Sequence, residues 1–302
     1  MGDLIAGTLI LLAVSAGLFF GGLAVARRCP AACSAAVGAA GAVFIVVFGL
    51  GVHGTLLVAQ VVPFSGALVL GNWIPPAAAL LAGVLVGRRG LPRWRRGLFA
   101  LLLLAAAWYT VACNFLRLPP PARDRWARQR VCLQSTAASC SPCAAATLLR
   151  HYGIETGERE MINLCLTRRQ GTPSLGLYRG LKLKARASGW DVEVVRCSVE
   201  DLCGELSEPV LLRFRLPEEA GAAPEFLERW GWAPDAGHAV VLYRICADGR
   251  AETGDPAVGI HKITPEALQA RWRGEGLRLV RRRLADRQAD RDHIDPVPGN
   301  GR

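Results

Sequence analysis

Charged side chains are missing from long stretches of the first third of the chain and frequent everywhere after it. None falls between positions 4 and 26, His53 and the cysteines are the only ionisable groups from 29 to 87, and 97–116 is again uncharged. A helix needs roughly 20 apolar residues to cross a bilayer. The pattern therefore predicts a polytopic membrane region over 1–116, with spans at 4–26, 33–52, 66–87 and 98–116. The stretch between 52 and 66 is apolar but broken by Gly and Pro, so it reads as an interfacial or re-entrant piece or as a fifth span. The first run is too long for a cleaved signal peptide, and further spans follow it.

The pattern changes after 116. Residues 117–130 form a Pro- and Arg-rich tether in which proline stops the last helix. Residues 131–284 have the length of one domain, and the charged tail 285–302 is too poor in apolar residues to pack, so it reads as disordered. Within the domain, Ala- and Leu-rich helical patterns at 141–152, 156–166 and 174–188 precede alternating, strand-like runs at 191–197 and 209–215. Ser198 and Asp201 resemble a capping box. The run from His238 to Ile245, an Asp248-Gly249 turn and the run up to Asp255 form a hairpin, since Asp-Gly suits a two-residue loop. Thr264 followed by Pro265 opens another short helix, and LRLVRRR reads as a closing strand. Helices first and antiparallel strands later make the domain α+β.

Net charge is +11 over 302 residues. The arginines crowd the short connections beside the spans (Arg27, Arg28, Arg88, Arg89, Arg93, Arg95, Arg96), which places those loops in the cytoplasm. With four spans the domain then lies outside. Arg117, Arg123, Arg125, Arg128 and Arg130 pull the other way. The expectation is an integral protein of a bacterial inner membrane with an extracytoplasmic domain. Such loops suit anionic lipid, and without an aromatic-rich basic groove nucleic acid is not an expected partner. Seven of the ten cysteines lie in the domain, enough for disulfides in an oxidising compartment and equally compatible with buried thiols. There is no Walker loop, dinucleotide fingerprint or zinc-type cluster, so no cofactor or metal is expected.

Four residues carry candidate chemistry. Cys140 opens an apolar helix, where the partial positive charge of the N-terminus favours a thiolate. His238 and Asp255 fall at the same open end of the predicted hairpin, where the carboxylate can orient the imidazole. Gln134, six residues before the cysteine, offers a side-chain amide to a developing oxyanion. Each has a plainer reading by itself: buried cysteine, strand-edge histidine, Asp-Pro turn, polar loop. Trp126, Trp230 and Trp232 read as packing residues, interfacial residues or substrate contacts.

The blocks CLQSTAASCSPCAAATLLRHYG, RRQGTPSLGLYRGLKLKARASGWDVEVV, GHAVVLYRI, GDPAVG and TPEALQARWRG occur in that order. Together they resemble the bacteriocin-processing, double-glycine-leader cysteine peptidases, papain-like enzymes often fused to export transporters. The resemblance covers 131–284. It implies a papain-like fold, with Cys140 as nucleophile, His238 as base, Asp255 as its orienter and Gln134 as the oxyanion residue. It implies a peptide or precursor-protein substrate and a separate export machinery as partner. Ser141 stands where the family has glycine, and the domain follows the membrane region instead of preceding it. Two other readings stay open: a thiol–disulfide oxidoreductase using Cys140 and Cys143, and a catalytically silent domain that binds peptides without cutting them.

Overall fold

The protein is described by a computed structural model covering residues 1–88, 90, 92–128, 130–205, 208–215 and 237–282, with the side chains of 203–205 left aside. Arg89, the Cys203 side chain, Trp230, Trp232 and the expected tail 285–302 therefore lie outside what is described. Two compact units are present, 1–119 with 173–179, and 120–172 with the chain from 180 on.

The first unit is helical: α1 (Gly2–Arg28), α2 (Ala31–Gly51), α3 (Leu57–Val61), α4 (Ala67–Leu70), α5 (Ile74–Gly87) and α6 (Arg93–Ala112). Four stretches are long and apolar enough to cross a membrane: α1, α2, the run 67–87 and α6. Three details differ from the pattern. The third stretch is interrupted: α4 ends at Leu70 with Gly71 as its cap, and α5 restarts with Pro75 and Pro76 in its first turn, where missing N–H groups are tolerated. The segment 52–66 holds only the five-residue α3, too short to cross. The last helix begins at Arg93, after Pro92, and ends at Ala112, so the expected 98–116 is displaced toward the arginines. Helices α1 and α5 approach at Gly22 and Gly83. A Cβ at Gly22 would lie 2.2 Å from the Leu80 carbonyl oxygen and one at Gly83 2.0 Å from that of Phe19, so this crossing requires residues without side chains.

In the second unit, β1 (Arg125–Ala127) and β2 (Val131–Leu133) form a small antiparallel ribbon. Helices α7 (Cys140–His151), α8 (Glu158–Leu164) and α9 (Ser174–Arg186, in this unit from Gly180 on) come next. They are followed by β3 (Trp190–Arg196), α10 (Val199–Glu205), β4 (Val210–Arg215), β5 (Gly237–Ile245), β6 (Ala251–Asp255), β7 (Gly259–Ile263), α11 (Pro265–Arg271) and β8 (Trp272–Arg281). Six strands make one antiparallel sheet in the order β3-β8-β4-β5-β6-β7. Helix α7 packs against β2, β4, β5 and β6. A buried cluster of Leu202, Val210, Leu212, Phe214, Val240 and Trp272, among others, ties α10 and α11 to the sheet. The expected α+β architecture is the one observed.

Candidate active site

The chain entering α7 is shaped by two hydroxyls. Thr136 and Ser139 form a reciprocal capping box around a single 3-10 turn, Ala137–Ser139, so that Cys140 is the first residue of α7. Pro142 falls inside the first turn, where a helix N–H has no intrahelical partner, so the Ser141-Pro142 pair leaves the helix start intact.

The hairpin supplying the other two groups differs from the simplest expectation at its turn. Gly249 adopts φ +77°, its N–H reaches the Cys246 carbonyl at 2.9 Å and the Cys246 N–H reaches the Arg250 carbonyl at 2.8 Å. This is a three-residue loop, built on a type I turn with glycine in the left-handed position, in place of the expected two-residue one. Beyond it the register also shifts, between Leu242 and Arg244.

His238 is buried at the start of β5, and its Nε2 lies 2.9 Å from Oδ1 of Asp255 at the end of β6. A carboxylate only accepts, so Nε2 carries a proton and Nδ1 is the nitrogen left for Cys140. Asp255 Oδ1 also accepts the Ala257 N–H at 2.8 Å, which fixes the Asp255-Pro256 turn. Burial pulls the imidazole's pKa down, but the charge and hydrogen bond of Asp255, together with the Cys140 sulfur, outweigh it and push it up to about 10. Burial pushes the Cys140 thiol up, but the hydrogen bond and charge of His238, then the Ser141 hydroxyl and the Ala239 N–H, hold it below its ordinary value of 9.0. Burial would likewise raise Asp255, yet the charge and hydrogen bond of His238 and the Ala257 N–H hold its carboxyl below 3.8. All three shifts favour a thiolate–imidazolium–carboxylate arrangement.

Gln134 directly follows β2 and is completely buried. Its backbone N–H donates to the Pro256 carbonyl at 2.9 Å, so the turn that carries Asp255 also holds Gln134. Neither atom of its side-chain amide has a hydrogen-bond partner among the described residues. Leaving such a buried amide unpartnered costs about 1–3 kcal/mol.

The structure thus joins Cys140, His238 and Asp255 and brings Gln134 to the same turn. Sequence reasoning passed over Glu158, Ser139 and the Ala239 N–H. Only Ser139 had a local signal, its three-residue spacing from Thr136. Trp126 packs under the Arg150 guanidinium, 4.1 Å from the ring centre. Cys143 is fully buried, and burial, then the hydrogen bond and charge of the neighbouring Cys132, push its thiol well above the usual range. No disulfide and no cluster of metal-ligating side chains occurs among the described residues.

The chain was compared with known proteins. An uncharacterized protein of Methanothermobacter marburgensis is 38% identical over 69 residues, 23% of this chain and 46% of the relative, so the chain spans less than half the length of the curated relative it matches. The peptidase domain of Streptococcus ComA, a bi-functional ABC transporter involved in quorum sensing, is similar in structure, with 20% identity and a TM-score of 0.41, covering 51% of this chain and 98% of that one. A double-glycine-motif protease from an AMS/PCAT transporter, solved with a leader peptide, has 22% identity and a TM-score of 0.39, covering 54% and 98%. The model of the peptidase C39 family matches residues 128–283. That match takes in more than half of the chain, including Gln134, the α7 cysteine and the hairpin, so this protein belongs to the peptidase C39 family.

Proposed function

We propose that the protein is a membrane-anchored peptidase that hydrolyses a peptide bond in a peptide or protein precursor, using Cys140, His238, Asp255 and Gln134. The Cys140 thiolate attacks the scissile carbonyl carbon. Negative charge develops on the carbonyl oxygen, and the Gln134 amide with the Cys140 N–H donates to it. The His238 imidazolium gives its proton to the leaving amine as the C–N bond breaks, leaving a thioester on Cys140. His238 then takes a proton from water, the hydroxide attacks the thioester, and the acid product leaves as the thiolate returns. Asp255 keeps the ring oriented throughout and stabilises it whenever it is charged.

The observation that carries this reading is the opposed pair of shifts at Cys140 and His238, with Asp255 hydrogen-bonded behind the ring. A dithiol exchanger has no use for those partners, and its second thiol, Cys143, is buried and pushed toward the neutral form. The four apolar helices would hold the domain at a bacterial inner membrane, with the arginine loops in the cytoplasm and the domain outside. Such a domain fits peptides presented at the membrane surface, including leader peptides handed over by separate export machinery. The test uses full-length protein in detergent micelles, a peptide library that includes Gly-Gly leader sequences, and a thiol-reactive affinity probe. Turnover and labelling that both vanish in Cys140→Ala are expected. Labelling that persists in Cys140→Ala, or a wild type that cuts nothing, would count against the reading.

A further inference from the structure

Glu158 opens α8 and is completely buried, an unusual place for a carboxylate. Burying a charge is expensive unless hydrogen bonds compensate for it, and here three do. Oε1 accepts the Ser135 N–H at 2.7 Å. Oε2 accepts the Ser135 hydroxyl at 2.5 Å and the Arg123 N–H at 3.0 Å. Two of the three bonds therefore fall on the residue that follows Gln134.

Holding the incoming chain against α8 does not by itself explain Glu158. Asp124 already does that: its Oδ1 accepts the Arg159 N–H at 2.8 Å, and the Arg159 guanidinium donates to the Ala122 carbonyl at 3.1 Å. What Glu158 adds is a grip on Ser135. The Ser135 N–H is also within 3.2 Å of the Ser139 hydroxyl, and the Gln134 N–H is tied to Pro256 at 2.9 Å. The peptide units on both sides of Gln134 are thus clamped, one to the Asp255-Pro256 turn and the other to Glu158. The Gln134 side chain, without a partner of its own among the described residues, depends on its backbone for its aim.

We propose that Glu158 is a positioning residue for the oxyanion donor, setting the direction of the Gln134 amide through Ser135. This rests on the reading of Gln134 given above. Oxyanion donors act only when they sit within about 0.5 Å of the productive position, and losing one lowers kcat about 10²–10³-fold.

The experiment compares full-length wild type, Glu158→Gln, Ser135→Ala, Gln134→Ala and Glu158→Gln/Gln134→Ala on a peptide that the wild type cleaves. Glu158→Gln keeps the shape but sets an amide donor against the Ser135 donors. The expected result is a fall in kcat of about 10–100-fold, part of the full donor effect, with KM unchanged. Alkylation of Cys140 by iodoacetamide, which forms no oxyanion, should keep its rate. Affinity for a peptide aldehyde, whose hemithioacetal oxygen sits where the oxyanion forms, should fall in step with kcat. In the Gln134→Ala background, Glu158→Gln should add no further loss. Ser135→Ala removes only the hydroxyl and should give a smaller change in the same direction, which serves as the readout if Glu158→Gln does not fold. Unchanged kcat, equal losses of turnover and alkylation, or losses that multiply with Gln134→Ala would overturn the proposal. A wild type that cleaves no peptide overturns the reading beneath it, and the proposal with it.

Discussion

Asp255 reaches His238, with 2.9 Å between Oδ1 and Nε2, because two single-residue offsets in one hairpin cancel. Side chains alternate across a strand, so changing the register by one residue moves a group to the other face. Next to the turn, Ile245 faces Ala251 and Arg244 faces Glu252, and that register carried onward would set Asp255 opposite Val241, on the face away from His238. The extra residue Tyr243 re-registers the strands, so that Leu242 faces Thr253 and Val241 faces Gly254. Asp255 then falls opposite Val240, two residues along from His238 on one face, within diagonal reach. Tyr243 leaves no room at Gly254, where a Cβ would meet its hydroxyl oxygen at 2.8 Å.

Asp255→Asn tests the consequence of that contact. The amide has no charge to hold the imidazolium, so the alkaline limb of the activity profile, set in the wild type by His238 at about 10, should move down toward the ordinary histidine range. Turnover near neutral pH should drop about 10²–10³-fold. Stability has a defined sign as well. A raised folded pKa means that the contribution of His238 is complete below 6.5 and is lost as pH rises through about 10. Thermal unfolding followed across that window should show the wild type losing more stability than Asp255→Asn; parallel curves would contradict the coupling.

Gln134→Leu should separate function from stability. The amide is buried without a partner among the described residues, and replacing it by an apolar group of similar size removes an unmet desolvation penalty. The melting temperature should hold or rise, while kcat falls about 10²–10³-fold. A clear loss of melting temperature would mean that the amide has a structural bond. Calorimetry and steady-state kinetics on the same preparation decide it.

How much of this was readable in advance depends on the range over which each feature is encoded. The apolar runs, the helix that opens at Cys140, the alternation at 191–197 and the apolar run through Val240 and Val241 are local patterns, and they led to the four long apolar stretches and the α+β class. Strand β1 is three residues long and includes the exposed Arg125, too short to show alternation, and its partner strand was equally silent. Strand β7 has three exposed residues between its buried ends and reads as a loop. The break at 71–73 was masked by uniform hydrophobicity. The bulge at Tyr243 and the inward turn of Glu158 depend on what distant segments present, and a Glu in the first turn of a helix is ordinary in any sequence. The common hairpin end of His238 and Asp255 is legible in the sequence, whereas the three-residue length of the loop between their strands is not.

Gly180→Ala probes packing apart from chemistry. A Cβ at this position in α9 would lie 2.3 Å from the Cys165 sulfur and 3.0 Å from the Cys165 N. Backbone on one side and a buried thiol on the other leave little room to adjust, so overpacking should lower stability by about 1–3 kcal/mol. Activity per folded molecule at low temperature should stay at the wild-type level. Chemical denaturation with an active-site titration would show it, and an unchanged midpoint would mean that the helix shifts freely.

Cys143→Ala addresses the oxidoreductase reading directly. Cys143 follows Cys140 by three residues, the spacing of a dithiol redox pair, but its thiol is fully buried and pushed well above the usual range, by burial and then by Cys132. The second thiol of such a pair must reach the first as a thiolate to close the ring, and a sulfur held neutral in the core resists that. Peptide turnover should therefore be unchanged in Cys143→Ala apart from a stability loss of about 1 kcal/mol for the small void, and the Cys140 alkylation rate should match that of the wild type. In an oxidoreductase the same substitution abolishes dithiol exchange and traps a mixed disulfide on Cys140. Mass spectrometry after incubation with a small disulfide, run beside the peptide assay, separates the two outcomes.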